Sequence, residues 1–235
     1  MTERGRRHVS VAPDHFTIGP SALHWDGTTL TIAIDEIGTP LPRRVRGSVR
    51  VTPQAITDHV VTLNRDGDHR WWPIAPLSRV EVNLSEPDLC WSGSGYFDMN
   101  QGDTPLADGF RSWHWSRAST PDGAAVLYGG TRRDGSTFDL GWRFDGSGQA
   151  TALEPGPPAA LPKSGWRLAR ETRSDRGRPA ALVETLEDTP FYARSVVRAS
   201  LAGESVTAMH ESLSLDRFAS PVVQAMLPFK MPRRG

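Results

Sequence analysis

The feature that most constrains this chain is a period-two alternation of apolar and polar residues, interrupted at intervals by tight-turn pairs. Leu30, Ile32 and Ile34 repeat with that spacing, as do Val80, Val82 and Leu84. Side chains two apart share one face of an extended strand, so the spacing predicts half-buried strands rather than helices. Asp26-Gly27, Asp66-Gly67, Asp122-Gly123, Asp134-Gly135 and Gly203-Glu204 each separate two such runs, as the connections of antiparallel hairpins do. An all-β chain of antiparallel meanders follows. A barrel or sandwich is favoured, because closure removes the exposed edges that invite aggregation.

Length and charge narrow the partners. A chain of 235 residues suffices for one large all-β domain or two small ones around a real core. Lys plus Arg and Asp plus Glu balance at 27 each, which argues against a nucleic-acid groove or another polyanion partner. The single cysteine, Cys90, rules out an internal disulfide and a cysteine metal cluster. It fits a reducing compartment and is expected to pack as a small hydrophobe. No apolar run approaches the roughly 20 residues of a membrane-spanning helix. The start, Met1-Thr-Glu-Arg-Gly-Arg-Arg, has no apolar stretch of the secretory type.

A composition shift at SRASTPDG, residues 116–123, predicts a boundary between an aromatic-rich half, 1–120, and a second set of hairpins, 121–235. The proline- and glycine-rich segment Leu153 to Gly165 reads as a connector between strands. Ser220 followed by Pro221-Val-Val-Gln-Ala-Met-Leu predicts a capped helix with a first-turn proline, ending at Pro228. The basic close, Lys230 and Arg233-Arg234, flanks Met226, Leu227, Phe229 and Met231. Such a tail either packs on the body or rests in a lipid interface.

Three neighbouring segments, DHRWWPIAPLSRVEV, WSGSGYFDMNQG and FRSWHWSR, gather His69, Trp71, Trp72, Trp91, Tyr96, Asp98, Trp113, His114 and Trp115. Five of the eight tryptophans stand here. On strands, His69 with Trp71, Tyr96 with Asp98, and Trp113 with Trp115 would each share a face and could converge on one lumen. Each residue has an ordinary structural reading as well: tryptophans fill cores, a histidine sits at a rim, and an aspartate before Met99-Asn100 caps a turn. Their concentration beside glycines that leave room near the backbone favours a site over separate coincidences. Other chemistries find little support. No glycine-rich loop opens a helix, and Trp91-Ser-Gly-Ser-Gly lacks the strand-helix context of a nucleophile elbow. His69, Asp98 and His114 are metal-ligand types at an uninformative spacing.

The runs HRWWPIAPLSRVEV, WSGSGYFDMNQGDTPL, FRSWHWSRA, TLEDTPFYARS and HESLSLDRFAS closely resemble the carotenoid 1,2-hydratase (hydroxyneurosporene synthase) family over essentially the whole chain. The resemblance implies a lipocalin-like antiparallel fold of two linked barrel halves, the first carrying the site. It also implies hydration of the terminal C1–C2 double bond of an acyclic carotenoid such as neurosporene or lycopene, without organic cofactor or metal. The family's catalytic positions match His69 and Trp71 in HRW and Tyr96 and Asp98 in GYFD. Trp72, Trp91, Trp113 and Trp115 are then candidates for the substrate-facing wall. The amino-terminal segment resembles an internal stretch of family members, so the chain is expected to begin at a late methionine. A bacterial cytoplasmic protein resting on the inner membrane is implied.

Adding water to an unactivated alkene requires protonation of carbon to a tertiary cation. Asp98 is the candidate acid, expected in an aromatic, desolvated setting that favours the neutral carboxyl. Trp71 is expected to face the cation, His69 to take the proton of the attacking water, and Tyr96 to hold Asp98. A forty-carbon polyene is about as long as the roughly 30 Å hydrocarbon core of a bilayer, so only one end fits a small barrel and the rest stays in lipid. A carrier that binds a terpenoid unchanged, or an acid-initiated cyclase, would use similar residues.

Overall fold

In the computed structural model the described residues are 3–38, 41–230 and 233–234. Met1, Thr2 and Met231 lie outside them. The chain forms two compact units: Met1–Ile56 with Ala75–Phe97 and Gln224–Gly235, and Thr57–Ile74 with Asp98–Val223.

In the first unit the strands Val9–Val11, His15–Ile18, Ser21–Trp25, Leu30–Ile37 and Arg44–Pro53 follow one another as antiparallel neighbours. The last is paired with residues 78–86 of the long strand His69–Glu86, in register from Arg46 opposite Glu86 to Pro53 opposite Ser78. Along that strand Val82 is buried while Arg79, Glu81 and Asn83 are exposed, which is the alternation the sequence predicts. At the Asp26-Gly27 turn the aspartate carboxylate accepts the N–H groups of Thr28 and Thr29 at 2.8 Å each, and Gly27 takes φ +97°. Both residue types are there because the turn needs a local acceptor and a left-handed position. Cys90 departs from expectation: it is exposed, since Asp88 to Ser92 at the start of the strand Asp88–Gly102 are solvent-facing on both sides.

The second unit is built on a seven-stranded antiparallel sheet. Its order is Ala150–Ala152, Thr137–Asp145, Gly123–Arg132, Phe110–Thr120, Glu204–Ser214, Tyr192–Leu201, Ala181–Asp188. Thr120 stands opposite Gly123, so the composition shift near residue 120 marks a tight hairpin turn inside this unit. A Cβ at Gly123 would lie 1.9 Å from the Phe144 carbonyl oxygen, which explains the glycine. The connector expected over Leu153 to Gly165 is partly a strand: Pro158–Leu161 pairs with Arg170–Arg173. Proline is tolerated because it opens the strand, where a ladder donor is dispensable.

The sheet has two unlike faces. One buries Ala118, Ala125, Leu127, Val197, Val206 and Ala208 against Leu161 and Leu201. Further along this face stand His114, Ser116, Ser195, His210 and Ser212, with Ser116 opposite His210 and His114 opposite Ser212. The other face carries Trp113, Tyr128 and Phe138. The helix Pro221–Lys230 follows Ser220, whose hydroxyl accepts the Val223 N–H at 3.4 Å. It runs past Pro228, where it was expected to end; a proline forfeits one backbone bond without abolishing the last turn. Among the described residues no helix is long and apolar enough to cross a membrane.

His114 and His210 stack with centroids 6.1 Å apart beside a cavity of about 270 Å³ that Asp139 and Arg173 also line. His210 Nε2 donates to the Glu171 carbonyl at 2.8 Å. Burial, foremost, pushes both imidazoles down to about 4. The unfolded chain therefore takes up protons from its ordinary histidine value near 6.5 downward, while the folded chain does not until about pH 4. Stability is complete above that upper value and falls through this window, by on the order of 2–3 kcal/mol per ring at its foot. Urea unfolding at pH 7.5 and 5 is expected to give a lower stability at pH 5. The difference should shrink in His210→Leu, and an unchanged pH slope in that variant would contradict the assignment.

Candidate active site

Two strands bring the predicted residues together. On His69–Glu86, residues 69, 71, 73 and 75 are buried and Arg70 is exposed, so His69 and Trp71 point inward together. On Asp88–Gly102, Tyr96 and Asp98 are half-buried while Phe97 and Met99 are exposed. Trp71 is fully buried, and its indole N–H donates to Asp98 Oδ2 at 2.8 Å. Tyr128 meets the Trp71 ring edge-on, with centroids 5.4 Å apart and planes at 89°. Its hydroxyl donates to Asn100 Oδ1 at 3.2 Å. Burial, foremost, holds the Tyr128 phenol well above its ordinary range.

The same strand reaches His69 through Gly102. A Cβ there would come within 2.4 Å of His69 Nδ1, and one at Gly109 within 2.9 Å of Nε2. Alternate positions 98, 100 and 102 thus meet Trp71, Tyr128 and His69 in turn. An aromatic chain closes the circuit: His69 on Phe110 at 5.1 Å, Phe110 on Phe138 at 5.9 Å, Phe138 on Tyr128 at 5.8 Å. A cavity of about 240 Å³ opens beside His69, Asn100, Gly102 and Thr104. The glycines do not simply leave empty room. Gly102 makes way for the His69 imidazole, and Gly95 for Val80, whose Cγ2 a Cβ would approach to 2.2 Å.

The remaining candidates are dispersed. Tyr96 shares the Asp98 face of the strand but belongs to the first unit, as does Trp91, which is 48% exposed. Trp72 faces away from Trp71 and donates to the Thr57 carbonyl at 2.7 Å. Trp113 lies edge-on to Tyr128 at 6.2 Å, and Trp115 stands opposite Tyr128 on the neighbouring strand. His114 projects from the opposite sheet face, away from Asp98. Among the described residues no group of three His, Cys, Asp or Glu side chains is arranged to hold a metal ion. Tyr128, Asn100, Phe110 and Thr104 escaped the sequence reading. Their partners lie on other strands, and a spacing of two carries no information across strands.

The family model described as Carotenoid hydratase CrtC matches residues 1–235. Acyclic carotenoid 1,2-hydratases of Thiocapsa roseopersicina and Rubrivivax gelatinosus are 56% and 49% identical over the whole chain, which spans 58% of the length of each. That of Cereibacter sphaeroides is 43% identical, and the chain covers 84% of it. A crystal structure from Nitrosomonas europaea, described as an AttH, superposes with a TM-score of 0.58 at 13% identity, over 89% of this chain and 72% of that one. At that identity it speaks for the lipocalin-like fold alone.

The packing of Gly102 generates a direct test. Gly102→Ala forces a methyl group into the His69 imidazole, with an expected loss of about 1–3 kcal/mol in urea unfolding. Gly93→Ala, whose new methyl meets only the Trp91 ring at 3.6 Å, is expected to cost nothing. Equal stabilities of the two variants would contradict the packing described.

Proposed function

The chain belongs to the carotenoid hydratase CrtC family, and on that premise we propose that it hydrates the terminal C1–C2 double bond of an acyclic carotenoid. The observation that carries this reading is the hydrogen bond from Trp71 Nε1 to Asp98 Oδ2 inside an aromatic enclosure. Asp98, as the neutral carboxyl, transfers its proton to the less substituted alkene carbon. The π electrons form the new C–H bond, leaving a tertiary cation and the Asp98 carboxylate. The Trp71 N–H stabilises that carboxylate as its charge develops, in a setting where a preorganised donor is worth more than in water. The carboxylate in turn offsets the cation.

Trp71 acts here as the residue that positions the acid. It is fully buried, with the Tyr128 ring centroid 5.4 Å away. Water then adds to the tertiary carbon, and its surplus proton passes to His69, which borders the 240 Å³ cavity. Return of that proton to Asp98 completes the cycle, and the net change is alkene plus water to tertiary alcohol. Tyr96, on the Asp98 face of its strand, is proposed to support the acid. Trp113 and Trp115 are proposed to contribute to the substrate-facing wall.

The polyene is too long for either cavity, and we propose that its remainder stays in lipid, with the protein in the bacterial cytoplasm resting on the inner membrane. Exposed Val222 and Met226 on the C-terminal helix, 71% and 39% accessible, offer apolar surface for that contact. In liposome flotation the protein is expected to rise with the vesicles and to do so less with Val222→Asp and Met226→Asp. Recovery entirely in the aqueous fraction would contradict membrane contact.

The chemistry is tested with lycopene or neurosporene in oxygen-18-labelled water. Label in a new tertiary alcohol is expected. A mass-neutral isomer would point to cyclisation, and unchanged bound pigment to a carrier; either would overturn the hydratase reading. Asp98→Asn is expected to keep the fold and pigment binding while abolishing turnover, and retained hydration would remove Asp98 from the acid role.

A further inference from the structure

His69 is 2% exposed, yet its ring is connected to solvent-side charge through one hydroxyl. His69 Nε2 lies 3.1 Å from Thr104 Oγ1, and Thr104 Oγ1 lies 3.0 Å from Asp68 Oδ2. The Asp68 carboxyl is held below the ordinary carboxylate range, first by the Asn64 side chain and, beyond it, by Thr104, so it accepts hydrogen bonds and does not donate them. A threonine hydroxyl has one proton. Given to Asp68, that proton leaves Thr104 only an acceptor toward the ring, so Nε2 must be the nitrogen that carries hydrogen. In the neutral imidazole the other nitrogen, Nδ1, then holds a lone pair. It packs against Gly102, where a Cβ would lie within 2.4 Å, and His69 and Gly102 both line the 240 Å³ cavity.

The backbone pins this arrangement from three sides. Asn64 Oδ1 accepts the His69 N–H at 3.1 Å, and Asn64 Nδ2 donates to Asp68 Oδ1. The Leu63 N–H donates to the His69 carbonyl at 2.8 Å, and the Asp103 N–H to the Asp68 carbonyl at 2.9 Å. The Asp66-Gly67 turn sits within this loop and returns the chain so that Asp68 faces Thr104.

We infer that Asp68 and Thr104 are positioning residues that lock His69 in the tautomer with hydrogen on Nε2, so that Nδ1 is presented to the cavity as the proton acceptor. The part of this inference that assigns the accepted proton to the attacking water rests on the hydratase reading; the tautomer itself does not. An aspartate acting through a hydroxyl on a histidine has the same physical logic as a carboxylate bound directly to an imidazole: it selects which nitrogen is free and steadies the ring once protonated.

The test uses the full chain with nitrogen-15-labelled histidine, its His69 signals identified by their disappearance in His69→Gln. The wild-type spectrum is expected to show hydrogen on Nε2 and a lone pair on Nδ1. Thr104→Val is expected to lose that preference, and Thr104→Ser to keep it. In parallel, Thr104→Val is expected to lower kcat by about tenfold or more with little change in KM, and Thr104→Ser to restore it. A wild-type ring with hydrogen on Nδ1, or a tautomer indifferent to Thr104→Val, would overturn the relay whether or not hydration occurs. A tautomer that shifts as expected while kcat stays constant would overturn His69 Nδ1 as the acceptor. Absence of hydration by the wild-type chain would count against the hydratase reading alone and leave the spectroscopic result to judge the tautomer.

Discussion

The site depends on one hydrogen bond, from a fully buried indole to a half-buried carboxyl group. Trp71 can make it because its strand alternates inward and outward over residues 69–75, which turns the indole into the aromatic cluster of the second unit. Asp98 can receive it because its own strand alternates in the same way. The bond constrains both partners. A buried indole N–H without an acceptor would carry a desolvation cost of roughly 1–3 kcal/mol, and a carboxylate beside Tyr128 without a donor would be worse placed still. Each side chain is held where the other requires it.

Around that bond the sequence makes room with glycine. Gly102 and Gly109 admit the His69 ring from two sides, and neither position requires a left-handed backbone. The absence of a side chain there is a matter of space. His69 in turn is tied by Thr104, Asp68 and Asn64 to a loop shaped by the Asp66-Gly67 turn. Asp98 and His69 therefore stand on neighbouring stretches of the same two strands, each fixed by a donor or acceptor of its own.

Much of this was legible in the sequence, for a physical reason. Period two is a property of the strand itself, so the pairing of His69 with Trp71 and of Tyr96 with Asp98 on shared faces could be read directly. The hairpin turns could be read because Asp26 and Gly27 supply chemistry that the turn itself demands. Contacts between strands could not. Nothing in the spacing links Trp71 to Asp98 across 27 residues, or Tyr128 to Asn100, or Thr104 to His69 across 35. Composition also does not fix local structure. The prolines near Pro158 admit a short strand at its opening position. Cys90 faces solvent because its part of the strand is exposed, and the shift near residue 120 is a hairpin turn. The two compact units could not be seen as runs of sequence, because the strands His69–Glu86 and Asp88–Gly102 each contribute residues to both.

The proposed chemistry turns on Asp98, and the account stands on the claim that the Trp71 N–H makes this carboxyl an effective proton donor to carbon. The most direct test replaces Trp71 with benzothienylalanine, which keeps the size and shape of indole and loses only the N–H. With the fold intact, kcat for hydration is expected to fall about tenfold or more, the effect of removing a hydrogen bond to a charged group, while KM stays near its original value. An unchanged kcat would show that the bond does not serve the chemistry and would contradict the account.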